Sequence, residues 1–201
     1  MNYQIRLRKT DGKKIYVDPQ ELEGFYLYPS EIKKAGLEDF MFLSDEKLSA
    51  LHDSYAVPRA KKRALALLTK KDMTEKELME KLEASLHDSH SIASAMSFMI
   101  EHSYIDDERY AQDYFYSHKK RKSFRRIKEE LLQKGIPYDI LQRVMEEEGE
   151  QREEDIRPLV IKYARKFPDL DHKAEQKIYM HFGRKGYSIE QVRNILADLS
   201  L

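Results

Sequence analysis

Residues 104–131 read YIDDERYAQDYFYSHKKRKSFRRIKEEL, and the sorting of charge in this stretch decides how the rest of the chain is read. Three acids, Asp106, Asp107 and Glu108, stand together, and seven of the ten residues from Lys119 to Lys128 are cations. Between the two groups Ala111, Tyr114 and Phe115 recur at the i, i+3, i+4 spacing of one helical face. Asp106 can therefore cap a helix that begins at Asp107, where acids suit the positive helix end. The cations cover the end of that helix and the start of the next. They suit the first place and not the second, because the dipole disfavours positive charge at an N-terminus. On that ground Arg125, Arg126 and Lys128 have no helix-stability reason to stand where they do.

The same apolar spacing recurs on both sides. Ala64, Leu67 and Leu68 precede it, and Val160, Tyr163 and Ala164 follow. Each set is followed by an i, i+4 pair: Leu78 and Leu82, Ile127 and Leu131, Ile178 and Phe182. A third set closes each unit: Met96, Met99 and Ile100; Leu141, Val144 and Met145; Val192, Ile195 and Leu196. The periodicity predicts three tandem three-helix repeats. Thr74 with Glu77 and Ser188 with Gln191 fit capping boxes, and Gly135 and Gly186 stand at matching helix ends. Pro58 and Pro137 stand where first helical residues are expected.

The first fifty-odd residues differ. YQIRLRK and KIYVD alternate around the turn TDGK, which predicts a β-hairpin, and FYLY at 25–28 could add a third strand. Two short helices follow, PSEIKKAG with Gly36 as its stop and SDEKLSALHDSY with Ser44 as its cap. The expected fold is mainly α, with three helix-turn-helix-like repeats in an elongated array behind a small β-rich unit. The expected parts are 1–56, 57–104, 105–149 and 150–201. Units this small must share core surface with their neighbours.

The chain has 201 residues, 36 Lys and Arg against 36 Asp and Glu, and no cysteine. Disulfides, thiolate catalysis and cysteine-bound metals are excluded. No apolar run approaches the ~20 residues of a membrane span, and Met1 leads straight into alternating NYQIRLRK rather than a leader. A cytoplasmic monomer is expected. Neither a glycine-rich phosphate loop nor an assembled acid/base set is visible, so no enzyme and no cofactor are expected.

SYIDDERYA, followed by RRIKEELLQKGI, resembles the signature of the RecX family, regulators of the bacterial RecA recombinase, and ALALLTKKDMTEKELMEKL resembles that family's first helical repeat. The order of a β-rich unit and three repeats matches as well. The chain departs from the family pattern at Ser103 and Ser85, where glycine is usual, and at KRKSF, where a glycine-containing link is usual. The resemblance implies a non-enzymatic modulator. It would bind RecA filaments, lie in the filament groove, and inhibit recombinase, ATPase and co-protease activity in recombination and the SOS response. Single-stranded DNA is a candidate further partner. A direct DNA-binding helix-turn-helix module and an adaptor for an unrelated partner are the alternatives.

Two basic runs are the candidate binding residues. The first is Lys119, Lys120, Arg121, Lys122, Arg125, Arg126 and Lys128, with Arg125 and Lys128 on one face and Phe124, Ile127 and Leu131 on the other. The second is Arg59, Lys61, Lys62 and Arg63, with Lys70 and Lys71 beyond. Either could be an ordinary solvated helix face. EEEGEQREED at 146–155 is an acidic hinge that would repel DNA. HDSH at 87–90 offers two imidazoles and one carboxylate but no third strong ligand, and reads as a loop rather than a metal site. Tyr110 and Tyr114 fall on the core spacing, which leaves Tyr116 as the exposed candidate for stacking on bases.

Overall fold

The computed structural model describes residues 1–10, 12–85, 87–149 and 153–199. Contacts divide the chain into two compact units, 1–106 and 107–201.

Unit one opens with β1 (Asn2–Lys9), β2 (Ile15–Pro19), β3 (Phe25–Leu27) and β4 (Phe42–Ser44), an antiparallel sheet in the order β3-β2-β1-β4. Strand alternation places Ile5, Val17, Phe25 and Leu27 in one core with Leu43, Leu48 and Leu51. Asp11, in the turn expected at TDGK, lies outside the described residues. α1 (Pro29–Ala35) stops at Gly36, whose φ of 63° is left-handed. α2 (Asp45–Leu51) starts at Ser44, whose hydroxyl accepts from the Lys47 amide at 3.3 Å.

The end of α2 differs from the expectation. The helix does not stop but widens into a π-helical turn, His52–Ala56, and runs on as α3 (Val57–Leu68). Pro58 supplies the reason: it cannot donate to the carbonyl four residues back, and its ring crowds that carbonyl. The wider turn makes room, and the Val57 amide donates to His52 O instead. Pro58 thus sits within a continuous helix rather than at a fresh start.

α3, α4 (Glu75–Glu83) and α5 (Ser89–Glu101) enclose Ala60, Ala64, Leu78, Leu82, Ile92, Ala95 and Met99. Thr74 caps α4 by accepting from the Glu77 amide at 3.2 Å. Ile100, expected in the core, is 45% exposed. The buried face of α5 runs through Ile92, Ala95 and Met99, and Ile100 lies about 100° past it.

Beyond α5 the chain turns through Ser103 at φ 54°, with the Ser103 amide on Ile100 O at 2.9 Å and the Tyr104 amide on Met99 O at 2.9 Å. A side chain there strains the left-handed backbone by about 1–2 kcal/mol, which glycine avoids. Ser103→Gly is therefore expected to stabilise unit one by up to ~1 kcal/mol, read as a rise in the thermal midpoint. An unchanged or lower midpoint would show that the hydroxyl compensates for the strain.

Unit two holds α6 (Asp107–His118), α7 (Phe124–Gln133) and α8 (Tyr138–Glu148), then α9 (Glu153–Ala164), α10 (His172–Arg184) and α11 (Ile189–Leu199). One cluster is built on Ala111, Phe115, Ile127, Leu131, Leu141 and Val144. The other is built on Ile156, Val160, Ile178, Phe182, Val192 and Ile195. Gly135 and Gly186 close α7 and α10 at φ 90° and 83°, as their positions predicted. Within the acidic hinge, residues 150–152 lie outside the described residues. Of its described acids, Glu148 ends α8 and Glu153 begins α9.

The two helix triplets of this unit meet backbone to backbone. The Ser123 amide donates to Lys185 O at 3.1 Å, joining the start of α7 to the end of α10. The contact pairs a positive helix end with a negative one. It is close because Gly186 has no side chain: a Cβ there would stand 2.5 Å from Ser123 Oγ and 2.9 Å from Arg126 Cβ.

Candidate partner-binding surface

The basic stretch lies where α6 gives way to α7. Lys119, Lys120, Arg121 and Lys122 form the connection, held by the Lys119 amide on Phe115 O at 2.8 Å and the Arg121 amide on His118 O at 2.8 Å. Ser123 is buried and caps α7, its hydroxyl accepting from the Arg126 amide at 3.1 Å. Ile127 and Leu131 are fully buried, and the Phe124 ring meets Phe115 edge-on at 4.7 Å. The apolar anchor of this segment follows the expected periodicity.

The cations divide into two groups. Lys119 pairs with Glu148 at 2.8 Å and Lys122 with Glu130 at 2.6 Å. Arg126 reaches Glu130 at 3.1 Å and Glu129 at 3.5 Å. The Lys128 ammonium stands 4.8 Å from the centre of the Tyr138 ring. These contacts correct the expectation that the dipole leaves the cations without local reward. Acids one helical turn on, and one at the end of α8, compensate for the unfavourable helix end.

Glu130 is the centre of this set, accepting from Lys122, from the Tyr114 hydroxyl at 2.8 Å and from Arg126 Nε. Burial alone would raise its carboxyl. The hydrogen bonds from Lys122 and Tyr114 and the charges of Lys122 and Arg126 outweigh burial and hold it below the usual carboxylate range. Burial and the Glu130 contact push the Tyr114 hydroxyl up.

The second group faces solvent. Lys120 and Arg121 are exposed, and among the described residues neither forms an ion pair. The Arg125 side chain is 72% exposed, with Glu129 at 3.8 Å, a pair worth ~0–1 kcal/mol. Tyr116, also exposed, carries the Lys119 ammonium 4.9 Å above its ring. Tyr110 and Tyr114 pack partly buried against the α6–α7–α8 core.

The run on α3 is put to other uses. Arg59 Nη2 donates to both Glu31 carboxylate oxygens at 2.7 and 2.6 Å and its Nη1 donates to Tyr26 O at 2.7 Å, tying α3 to α1 and β3. Lys61 stands 4.6 Å above the Phe98 ring, and Arg63 Nε donates to Ser85 Oγ at 3.3 Å. Lys62 is exposed, and among the described residues it forms no ion pair.

HDSH runs from the loop before α5 into its first turn: His87 and Asp88 precede the helix, and Ser89 and His90 open it. Asp88 is its cap, accepting from the Ser91 amide at 2.9 Å, and its carboxylate lies 3.3 Å from His52 Nδ1. His52 in turn packs its ring 4.1 Å from Phe25 and 5.0 Å from His90. Among the described residues no cluster of three or more metal-ligating side chains occurs. Burial would raise the Asp88 carboxyl, but the adjacent His52 imidazole and the bond from the Ser91 amide overcome it and bring it down to about 2.

The sign of the pH effect follows from that depression. The Asp88 contribution is complete above the unfolded carboxyl value of ~3.9 and is lost as pH falls toward the folded value. Asp88→Ala is expected to cost about 1–3 kcal/mol at neutral pH through the lost cap and the stranded imidazole. Asp88→Asn, which keeps a capping oxygen, should cost less. Its gap to the parent should close as pH drops from ~4 to ~2. A gap in denaturation midpoint that stays constant over that window would refute the ionic part of the account.

Comparison with known proteins bears on the same region. The family model for the second three-helix domain of RecX matches residues 106–145, which include the whole α6–α7 cationic stretch. The regulatory protein RecX of Caldanaerobacter subterraneus subsp. tengcongensis is 30% identical over 202 residues, covering 96% of this chain and 95% of its own. That of Vibrio vulnificus is 34% identical over 155 residues, covering 74% and 99%. The crystal structure of RecX from Lactobacillus salivarius superposes with a TM-score of 0.62 at 23% identity, over 72% of this chain and 97% of that one. A further crystal structure of regulatory protein RecX gives 0.63 at 19% identity, over 97% and 99%, and both support the fold. The chain belongs to the RecX family of regulatory proteins.

Proposed function

We propose that the chain binds the RecA recombinase filament and inhibits its ATPase, recombinase and co-protease activities, as a cytoplasmic, non-catalytic regulator in recombination and the SOS response. The observation that carries this reading is the ledge of Lys120, Arg121 and Arg125. These solvent-facing cations lie inside the stretch that matches the family, beside neighbours already neutralised by Glu129, Glu130 and Glu148. A paired base under an exposed rim, where only Arg125 holds a weak contact to Glu129, suits charge-assisted contact with a partner's carboxylates or with DNA phosphates held in the filament. The four parts 1–56, 57–104, 105–149 and 150–201 act as modules on neighbouring protomers, so several weak contacts in one chain add up to tight occupancy.

Reading DNA sequence is less favoured. α8 and α11 open with Tyr138 and Ile189, and neither start is rich in side chains that recognise base edges. The test is to add the purified chain to RecA on single-stranded DNA and follow ATP turnover. The expected result is a concentration-dependent fall. Unchanged turnover, with filaments that fail to retain the chain on sedimentation, would overturn the reading.

A further inference from the structure

A second cationic site lies in the last helix triplet, and the α6–α7 ledge does not account for it. The end of α9 and the end of α10 converge on a pocket of about 250 Å³. Lys162 reaches it from α9, Lys166 from the turn just beyond α9, and Lys185 from just beyond α10. Leu159, Tyr163 and His181 line it as well. The Tyr163 and His181 rings stack at 3.9 Å and 11°, and the Lys166 ammonium stands 4.8 Å from the Tyr163 ring centre.

What distinguishes these lysines from the paired cations of the α6–α7 stretch is the lack of a carboxylate. Lys119, Lys122 and Arg126 each hold a carboxylate. Among the described residues Lys162, Lys166 and Lys185 hold none, and no acid lines the pocket. Lys162 and Lys166, four residues apart across the end of α9, also repel one another.

Helix ends give a partial reason for lysines here, since a C-terminus carries about half a negative charge. Two such ends supply about one unit against three ammonium groups, so about two positive charges stay unbalanced. The field is felt locally. Burial, then Lys185, Lys166 and Arg184, push the His181 imidazole below its ordinary value.

We propose that this pocket is a binding site for the terminal phosphate of a phosphomonoester. The charge matches, because such a group carries about −1.5 to −2 at neutral pH, whereas a phosphodiester carries a single charge. The residue type matches too. Lysine meets phosphate as a point charge, and three lysines line the pocket. Leu159 and the half-buried Tyr163 ring give the group attached to the phosphate an apolar surface to lie against. A free nucleoside monophosphate and the 5′ end of a nucleic acid strand both offer this chemistry. The proposal stands apart from the recombinase reading and survives its failure.

The test titrates the full chain with AMP, with adenosine, and with one oligonucleotide bearing either a 5′-phosphate or a 5′-hydroxyl, following affinity and the His181 imidazole resonances. AMP should shift His181, and adenosine should bind at least about tenfold more weakly. A preference for the 5′-phosphorylated oligonucleotide would name the strand end as the source. Equal binding of the two oligonucleotides, with AMP still bound, would name the free nucleotide. Lys162→Ala, Lys166→Ala and Lys185→Ala should each weaken AMP binding about tenfold, with melting unchanged because the side chains are not in the core. AMP and adenosine binding alike would overturn the proposal, as would lysine variants of unchanged affinity. A glutamate-rich peptide that shifts His181 where AMP does not would overturn it in favour of an acidic protein partner.

Discussion

Gly186→Ala is expected to destabilise unit two by roughly 2–5 kcal/mol, the sum of a left-handed backbone penalty and an overpacking penalty. Gly186 holds φ 83°, and an added Cβ would meet Ser123 Oγ at 2.5 Å and Arg126 Cβ at 2.9 Å. Neither neighbour yields easily. Ser123 is fixed by capping α7 and by its own amide bond to Lys185 O, and Arg126 Cβ is anchored to the first turn of that helix. Relief requires α7 and α10 to separate, which strips the Ser123 contact and opens the joint between the two triplets. Gly36→Ala is the matched control. Its φ of 63° is also left-handed, but nothing lies within 4 Å of the added Cβ, so only the backbone cost of about 1–2 kcal/mol should show. Equal losses of denaturation midpoint in the two variants would mean that the triplets are not seated on one another through Gly186.

That joint illustrates what a sequence holds and what it withholds. Gly135 and Gly186 were legible as helix stops because an end in the left-handed conformation is a local demand. The pressing of Gly186 on Ser123, 63 residues earlier in the chain, is a tertiary event with no local mark. The paired cores Leu78 and Leu82, Ile127 and Leu131, and Ile178 and Phe182 were legible for the same local reason, as a repeating helical face. Ile100 was not, because α5 buries the face through Ile92, Ala95 and Met99, and the apolar run SFMI fits either register. β4 escaped notice because FLS, unlike the aromatic FYLY that marks β3, carries no run of strand-favouring residues. It exists by pairing with β1, with Tyr3 opposite Leu43.

The cationic stretch was half legible. RRIKEE already places Glu129 and Glu130 one turn beyond Arg125 and Arg126, a spacing that favours pairing. Weighing the dipole alone missed it. The bonds of Lys119 to Glu148 and of Lys122 to Glu130 cross between segments, and spacing could not announce them. The pocket of Lys162, Lys166 and Lys185 was missed because its residues come from two helices and look like ordinary helix-end lysines one at a time.

Replacing Lys120, Arg121 and Arg125 together with Glu is expected to weaken filament binding by at least about a hundredfold. Each charge-assisted contact is worth up to ~1.5–3 kcal/mol, and reversal adds repulsion. Folding should hardly respond, because the three side chains are exposed and such changes shift stability by about half a kcal/mol or less each. Arg125 even exchanges an unfavourable helix-end charge for a favourable one, at the expense of facing Glu129. Lys122→Glu behaves in the opposite way. It sets a carboxylate against Glu130, the shared acceptor of Lys122, Tyr114 and Arg126, and should lower the melting point before it touches binding. The two variants separate a binding surface from a folding element that share one stretch of six residues, 120–125. The deciding measurement is the inhibition of RecA ATP turnover on single-stranded DNA by the Lys120, Arg121 and Arg125 triple variant beside the parent. The account predicts a variant that melts like the parent and has lost its inhibition; a variant that melts like the parent and inhibits as strongly would contradict it.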